Sequence, residues 1–213
     1  RVNAKLANNI KDKVRRLQIK LYLSAKECKQ RRYHALYDKI YRTDILERAW
    51  QNVRANSGSA GIDKESIQKI EEIGVEKVLL EIAEQLKTGK YQALPVRRVD
   101  IPKDNGKTRP LGIPVVRDRI VQAAVKIVIE PVFEADFKES SYGFRPKRNA
   151  HEAIETIRKT CNNKGMWVID ADIEGYFNNI NHDKLMILIR QRISDRRILK
   201  IIMKWLKAGI MQA

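Results

Sequence analysis

WVIDADIEGYFNNINHDKL, residues 167–185, reads as a strand running into a turn and then a helix. Side chains alternate across a strand. Trp167, Ile169, Ala171 and Ile173 then share one apolar face, and Val168, Asp170 and Asp172 share the other. The two carboxylates sit on one side, their Cα atoms roughly 6–7 Å apart at the usual rise per residue. A buried carboxylate is costly unless something pairs with it. The acidic face therefore meets water, an arginine or a cation. Mg²⁺ takes hard oxygen ligands and commonly uses one or two carboxylates together with substrate phosphates. A strand-end Asp suits that role, and an Asp-x-Asp pair equally suits a solvent-facing edge.

The charge balance narrows the choice of partner. The chain of 213 residues holds 43 Lys and Arg against 26 Asp and Glu, a net +17. Such an excess favours a polyanion, with nucleic acid ahead of an anionic membrane. No apolar run is long enough to span a bilayer. The two cysteines, Cys28 and Cys161, lack metal-ligand spacing. They are read as reduced and structural, which fits a cytoplasmic protein.

The positive charge concentrates early. The first sixty residues carry fifteen Lys and Arg against five Asp and Glu. Val2, Leu6, Ile10, Val14, Leu17 and Leu21 recur at steps of four and three, the stripe of a helix. Lys11, Lys13, Arg15, Arg16 and Lys20 surround it. KQRRYHALYDKIYR, from Lys29, mixes Arg31 and Arg32 with Tyr33, His34, Tyr37 and Tyr41. Phosphates would take the charges and unstacked bases the rings, a pattern that suits RNA. A solvated face is the plainer alternative.

Further helices are expected over 44–55 and about 75–87, the latter stopped by Gly89. Asp63 is a candidate cap for a short helix between them. PVRRVDIPKDNGKTRPLGIP, from Pro95, alternates, turns at Asn105-Gly106 and returns, the pattern of a hairpin. A helix over 117–129 should end near Pro131. SYGFRPKRN is a loop, and Asn149 with Glu152 opens a helix to about Thr160. Asn181 or Asp183 starts the next helix, and Ser194 or Asp195 caps the last. The order of elements is α+β.

Three stretches together resemble the reverse transcriptases, and in particular those encoded by bacterial group II introns, which also act as maturases. IPKDNGKTRPLGIPVVRDRIVQAAV resembles the family's fingertip block, SYGFRPKRNAHEAI the block after it, and WVIDADIEGYFNNINHDKL the block that opens the palm. NSGSAGID resembles a more N-terminal block. The resemblance implies a right-hand polymerase fold: a basic, RNA-binding helical extension (1–55), fingers (56–165) and the start of a palm (166–213). It makes Asp172 the first catalytic aspartate and a Mg²⁺ ligand, with the Ile173 carbonyl as a further ligand. Phe177 would lie under the incoming sugar and exclude a 2′-hydroxyl. Lys103 and Arg109 would grip the triphosphate, a point charge and a bidentate fork respectively. Asp170 matches no catalytic position. Arg145 is read either as a template-phosphate contact or as part of a loop locked by Gly143 and Pro146. The implied partners are structured intron RNA, an RNA template with a DNA primer, and deoxynucleoside triphosphates, with no membrane.

The family's second aspartate pair, in an aromatic-x-Asp-Asp hairpin, does not occur in these residues, nor does its Gln-Gly block. One aspartate cannot hold two metals, so residues 1–213 alone are expected to be inactive. Two other readings compete with the polymerase. One is an RNA-binding splicing cofactor with an unused polymerase site. The other is a basic Mg²⁺-dependent nuclease, which would call for neither the fingertip hairpin nor a Phe five residues beyond the Asp.

Overall fold

The computed structural model describes residues 2–102, 106, 108–163 and 167–212, without the side chains of 2–11, 163, 178 and 210–212. The N-terminal stripe folds as α1 (Val2–Glu27), which buries Val14, Leu21 and Ala25. A short α2 (Tyr37–Ile40) leads to α3 (Thr43–Ala55), whose inner face is Ile45, Leu46, Ala49, Trp50 and Val53. Next come α4 (Ile67–Ile73) and α5 (Val75–Lys87), then the hairpin strands β1 (Val96–Pro102) and β2 (Thr108–Ile113). The central helix α6 (Val116–Glu134) precedes α7 (Ala150–Asn163), a 3-10 turn at Tyr176–Asn179, α8 (His182–Arg192), α9 (Arg196–Lys207) and β3 (Ile210–Gln212).

The core forms around α6, which packs against α1, α2 and α3. The expected division at residue 55 thus falls at the end of a helix whose buried face shares this core. Hairpin pairing is antiparallel, with Ile101 opposite Arg109 and Pro102 opposite Thr108. β3 joins the other edge of β1 in parallel, giving the order β2-β1-β3. The sequence reading has no counterpart for β3, because three residues are too few to show alternation. The Asn105 half of the expected turn lies outside the described residues, while Gly106 takes φ 74°.

Pro131 does not end α6, which runs three residues further. Proline removes one donor, leaving the carbonyl four residues back without its helical partner. That carbonyl belongs to Ile127, and Gln18 Nε2 of α1 donates to it at 3.3 Å. A neighbouring helix thus supplies the missing donor and the helix continues. The cap of α4 is Ser66, whose Oγ accepts from Lys69 N. Asp63 instead accepts from Glu65 N within the preceding turn. Asn149 Oδ1 accepts from Glu152 N while its amide donates back to the Glu152 carboxylate, the expected start of α7. Both cysteines are free and exposed, so neither contributes to the core.

Three tyrosines expected at an RNA surface turn inward. Tyr37 is buried and donates from its hydroxyl to Leu86 O at 2.8 Å. Tyr33 packs against the core and its hydroxyl bonds Ser24 Oγ, while its backbone bridges Ile193. Tyr41 also packs on the core, and His34 alone of the four is exposed. Their hydrophobic rings are worth more inside than in water.

The joint between α8 and α9 clasps this segment. Arg192 donates to the carbonyls of Ala25, Cys28, Lys29 and Arg31, at the end of α1 and just beyond it. Its Nε lies 2.9 Å from Asp136 Oδ2. Asp195 caps α9 through Arg197 N, and its other oxygen accepts from Leu36 N and Tyr37 N, both at 2.9 Å. Burial pushes the Asp195 carboxyl up, but these N–H donors and the Arg197 guanidinium outweigh it and hold the group below the usual carboxylate range.

Replacing Asp195 with Ala strands two buried backbone donors. Denaturant unfolding should show a loss of roughly 2–6 kcal/mol, at about 1–3 kcal/mol for each unpaired donor. Because the folded carboxyl titrates below the unfolded one, its contribution is full above the ordinary carboxylate range. It fades as pH falls through the lowered value. The variant should therefore lose less stability than the parent on acidification, and a parallel acid limb in the two melting profiles would contradict the assignment.

Candidate active site and nucleic-acid interface

The hairpin is aimed by its base. Ala60 O, in the loop NSGSAGID, accepts from Arg97 Nε and a terminal nitrogen at 3.2 and 3.0 Å. Arg119 donates to Ser59 O in the same loop. Gly61 lies so near α6 that a Cβ would come within 2.6 Å of Val115 Cα, so the loop and the start of α6 fit only with glycine there. Gly112 is similar, since a Cβ would meet Val96 Cγ2 at 2.8 Å.

Two residues that the sequence reading left inside a helix complete this base. Arg117 bonds Glu65 and Glu81 at 3.1 and 2.8 Å, joining α6 to α5 and to the turn before α4. Asp118 is buried and accepts from Tyr91 Oη at 2.6 Å and Leu94 N at 2.9 Å. Burial raises its carboxyl above the usual range, although both donors pull the other way. Trp205 Nε1 of α9 donates to the Tyr91 hydroxyl at 2.9 Å. The segment entering β1 is thereby fixed to both α6 and α9. The available signal was the charged run Arg117-Asp118-Arg119 in the first turn of a helix with a long apolar face.

Above this base, β2 is exposed over nearly its whole length, Arg109 included. Lys103 lies outside the described residues.

Residues 167–173 are not a strand. They adopt no regular structure and pair with no described strand, and both expected faces are in water. Trp167 is 92 % exposed, Val168 77 %, Ile169 93 % and Ile173 66 %. An alternating segment becomes a strand only when a neighbour takes its N–H and C=O groups. Here β1 is paired on both sides, and neither edge strand, β2 nor β3, pairs with 167–173. Ile154 and Ile157 of α7 are exposed as well. Asp170 and Asp172 are exposed, so hydration meets the requirement posed by their charge.

The turn beyond them is well formed. Gly175 takes φ 60° and its carbonyl accepts from both the backbone N and side-chain Nδ2 of Asn179, each at 3.1 Å. Phe177 stands on this turn, 83 % exposed, edge-on to Tyr176 with centroids 5.2 Å apart. Asn181 then caps α8 by accepting from Lys184 N at 2.9 Å.

Asp172 and the Ile173 carbonyl are oxygen donors of the kind Mg²⁺ takes. Their number is insufficient, because no group of three or more His, Cys, Asp or Glu side chains that could hold a metal ion occurs among the described residues. These residues contribute ligands without closing a metal site.

On α1, Lys13, Arg15, Arg16 and Lys20 are exposed along the helix, and the Lys11 side chain lies outside the description. Arg31 and Arg32 are exposed, with Arg31 donating to Ser24 Oγ and Arg32 Nε to Arg190 O. Arg145 behaves differently. It bonds both oxygens of Glu134, donates to Lys138 O and Ser141 O, and lies 5.0 Å from the Phe137 ring centre. Its side chain is only 6 % exposed. This geometry favours the locked-loop reading over a phosphate contact.

The family model described as reverse transcriptase (RNA-dependent DNA polymerase) matches residues 101–212, from the hairpin through β3. The chain belongs to the reverse transcriptase family, on its group II intron reverse transcriptase/maturase side. It is similar to Protein YkfC of Escherichia coli strain K12, 46% identical over 156 residues, covering 71% of this chain and 40% of that protein. To the group II intron-encoded protein LtrA of Lactococcus lactis subsp. cremoris it is 38% identical over 180 residues, 83% of this chain and 29% of that protein. To nuclear intron maturase 1, mitochondrial, of Arabidopsis thaliana it is 36% identical over 94 residues, 44% of this chain and 13% of that protein. The chain thus spans well under half the length of these relatives. Among the described residues no helix is long and apolar enough to cross a membrane.

The exposure of residues 167–173 has an optical signature. The chain has three tryptophans, and Trp50 is 7 % exposed against 92 % for Trp167. Replacing Trp167 with Phe should shift the emission to the blue and remove most of the acrylamide-quenchable fluorescence. An unchanged spectrum would mean that this segment is covered.

Proposed function

We propose that the whole protein is an RNA-directed DNA polymerase that also binds its intron RNA as a maturase, and that residues 1–213 carry part of its site. The observation that supports this most is the docked base of the hairpin. The loop at Ser59–Gly61, the Arg117 and Asp118 pairs and the Tyr91–Trp205 bond hold an exposed, cationic hairpin in one orientation. Arg109 then presents a planar fork to phosphate, and Lys103 is proposed as its companion in gripping the triphosphate.

Asp172 is proposed as one carboxylate ligand of Mg²⁺, the Ile173 carbonyl as another oxygen, and Phe177 as the ring that tests the sugar. Asp172 and the Ile173 carbonyl would hold Mg²⁺, which would supply the charge that two-metal phosphoryl transfer needs at the primer 3′-hydroxyl and the leaving pyrophosphate. The chain's own part is to position nucleotide and template and to supply positive charge. The remaining carboxylates would come from sequence outside residues 1–213. The proposed division is a basic extension (1–55), fingers (56–165) and the beginning of a palm (166–213). The exposed apolar residues of α7 and of 167–173 are consistent with a palm whose sheet needs further strands. The alternative reading is a splicing cofactor whose polymerase site is unused.

Residues 1–213 alone should give no Mg²⁺-dependent incorporation of deoxynucleotides on a primed RNA template. The whole protein should incorporate them and lose activity by several orders of magnitude in the Asp172→Ala variant. Phe177→Ala should raise ribonucleotide use relative to deoxynucleotide use. Full activity in Asp172→Ala would overturn the catalytic assignment, and an inactive whole protein that still promotes splicing would favour the cofactor.

A further inference from the structure

Helix α9 is the most basic element of the chain for its length, RRILKIIMKWLK, and the resemblance gives it no role. Its inner face buries Ile198 and Ile201. Arg196, Lys200, Lys204 and Lys207 follow one another at steps of four, four and three, a single cationic ridge in which Lys204 is half-buried and the other three are exposed. At 1.5 Å per residue the ridge is about 17 Å long.

A groove of about 910 Å³ runs along one side, between α9, the end of α8 and the segment entering β1. Arg32 and Arg190 complete the cations around it, and Met186 and Met203 are part of its apolar floor. Among the described residues no carboxylate lines it. A smaller groove of about 240 Å³ lies on the other flank, shares Lys200 and Lys204, and adds Lys87 and Arg197. It too has no acidic lining residue among those described. Several arginines elsewhere, among them Arg42, Arg54, Arg117, Arg145 and Arg158, have carboxylate partners. Among the described residues, no ion pair involves Arg190, Arg196, Lys200 or Lys207. Arg190, Arg196, Lys200 and Lys207 are exposed. Like charges this close repel one another, and a ligand of opposite sign removes that cost.

The structure assigns α9 and its larger groove as a nucleic-acid strand site, binding the phosphodiester backbone without regard to sequence. Regular spacing of cations along a straight ridge matches a chain of evenly spaced phosphates. An apolar floor accepts sugar and base faces, as in single-strand grooves. A concave groove does not fit a flat bilayer, and its openness along the helix suits a strand better than a lone nucleotide. The inference rests on the nucleic-acid chemistry proposed above but concerns residues apart from the hairpin and Asp172. It also explains why the ridge is held rigidly: Lys204 Nζ donates to Tyr91 O, and Trp205 bonds the Tyr91 hydroxyl.

The test uses the 213-residue chain and fluorescently labelled, mixed-sequence single strands of RNA and of DNA. The variant carries Arg190→Ala, Arg196→Ala, Lys200→Ala and Lys207→Ala. A second variant exchanges Lys and Arg at the same four positions and keeps the charge. A third removes Lys13, Arg15, Arg16 and Lys20 from α1. The Ala variant should bind at least one of the strands about tenfold more weakly or worse. Its plot of log affinity against log salt should be shallower by about 3, at about 0.7 per lost contact to a single strand. The charge-preserving variant should bind as the parent does. If the quadruple Ala variant does not fold, the double variant Arg196→Ala, Lys200→Ala should show about half the change in slope. Unchanged affinity and slope in a folded Ala variant overturn the inference. If the α1 variant then loses binding, the nucleic-acid reading survives without α9, and if neither loses it, both fail. Displacement of the strand by polyglutamate at equal charge would also overturn it, by showing an unspecific anion surface.

Discussion

The joint between α8 and α9 closes the fold by reading backbone. Arg192 and Asp195, three residues apart, take opposite halves of the same job. The guanidinium gathers carbonyls where α1 ends, and the carboxylate gathers N–H groups where α2 begins. Tyr33 lies between them, with its N–H on Arg192 O and its carbonyl accepting from Ser194 N and Asp195 N. More than 150 residues of sequence separate the two partners. Breaking a buried pair leaves an uncompensated charge, and here most of the matching groups are main chain, with the Asp136 carboxylate beside Arg192 Nε. The contact therefore depends on the path of residues 25–37 rather than on their side chains. It keeps α9 against the core, and α9 in turn holds Tyr91 and the entry to the hairpin.

Helices and the hairpin were legible because their signals are local. The steps of four and three in α1, the Asn149 and Asn181 caps, and the alternation around Gly106 each depend on a few neighbouring residues. What was not legible depended on partners far along the chain. Pro131 looked like a stop because Gln18 is 113 residues away from it. Tyr33 and Tyr37 looked available for bases because the groups that cover them come from distant elements. The Arg117 and Asp118 pairs were invisible for the same reason. At the candidate site, the residue types and the Gly175 turn were readable, but the state of residues 167–173 was not. Alternation states what a segment would bury as a strand and does not supply the neighbour.

The exposed segment sets the chemistry of the site. A carboxylate in water is ordinary, and Asp170 and Asp172 need no ion to be tolerated. Their value as ligands would rise if the segment joined a sheet, where the two would be aligned on one face and drier. Trp167, Ile169 and Ile173 would be covered by the same step, at about 1.5–3 kcal/mol for each large side chain fully buried. Ligand geometry and burial of apolar surface are thus coupled in this stretch.

Gln18 donates to Ile127 O and Lys26 Nζ to Ala135 O, so the two acceptors are as far apart on α6 as the two donors are on α1. Apolar stripes by themselves tolerate sliding, since a shift of one helical turn presents much the same surface. Two polar pins at matching intervals forbid that shift, because it would strand the carbonyl orphaned by proline. The proline thus acts as an index mark. It locks the axial position of α1 on α6, and the charges of Lys13 to Lys20 are displayed at one fixed height on the molecule.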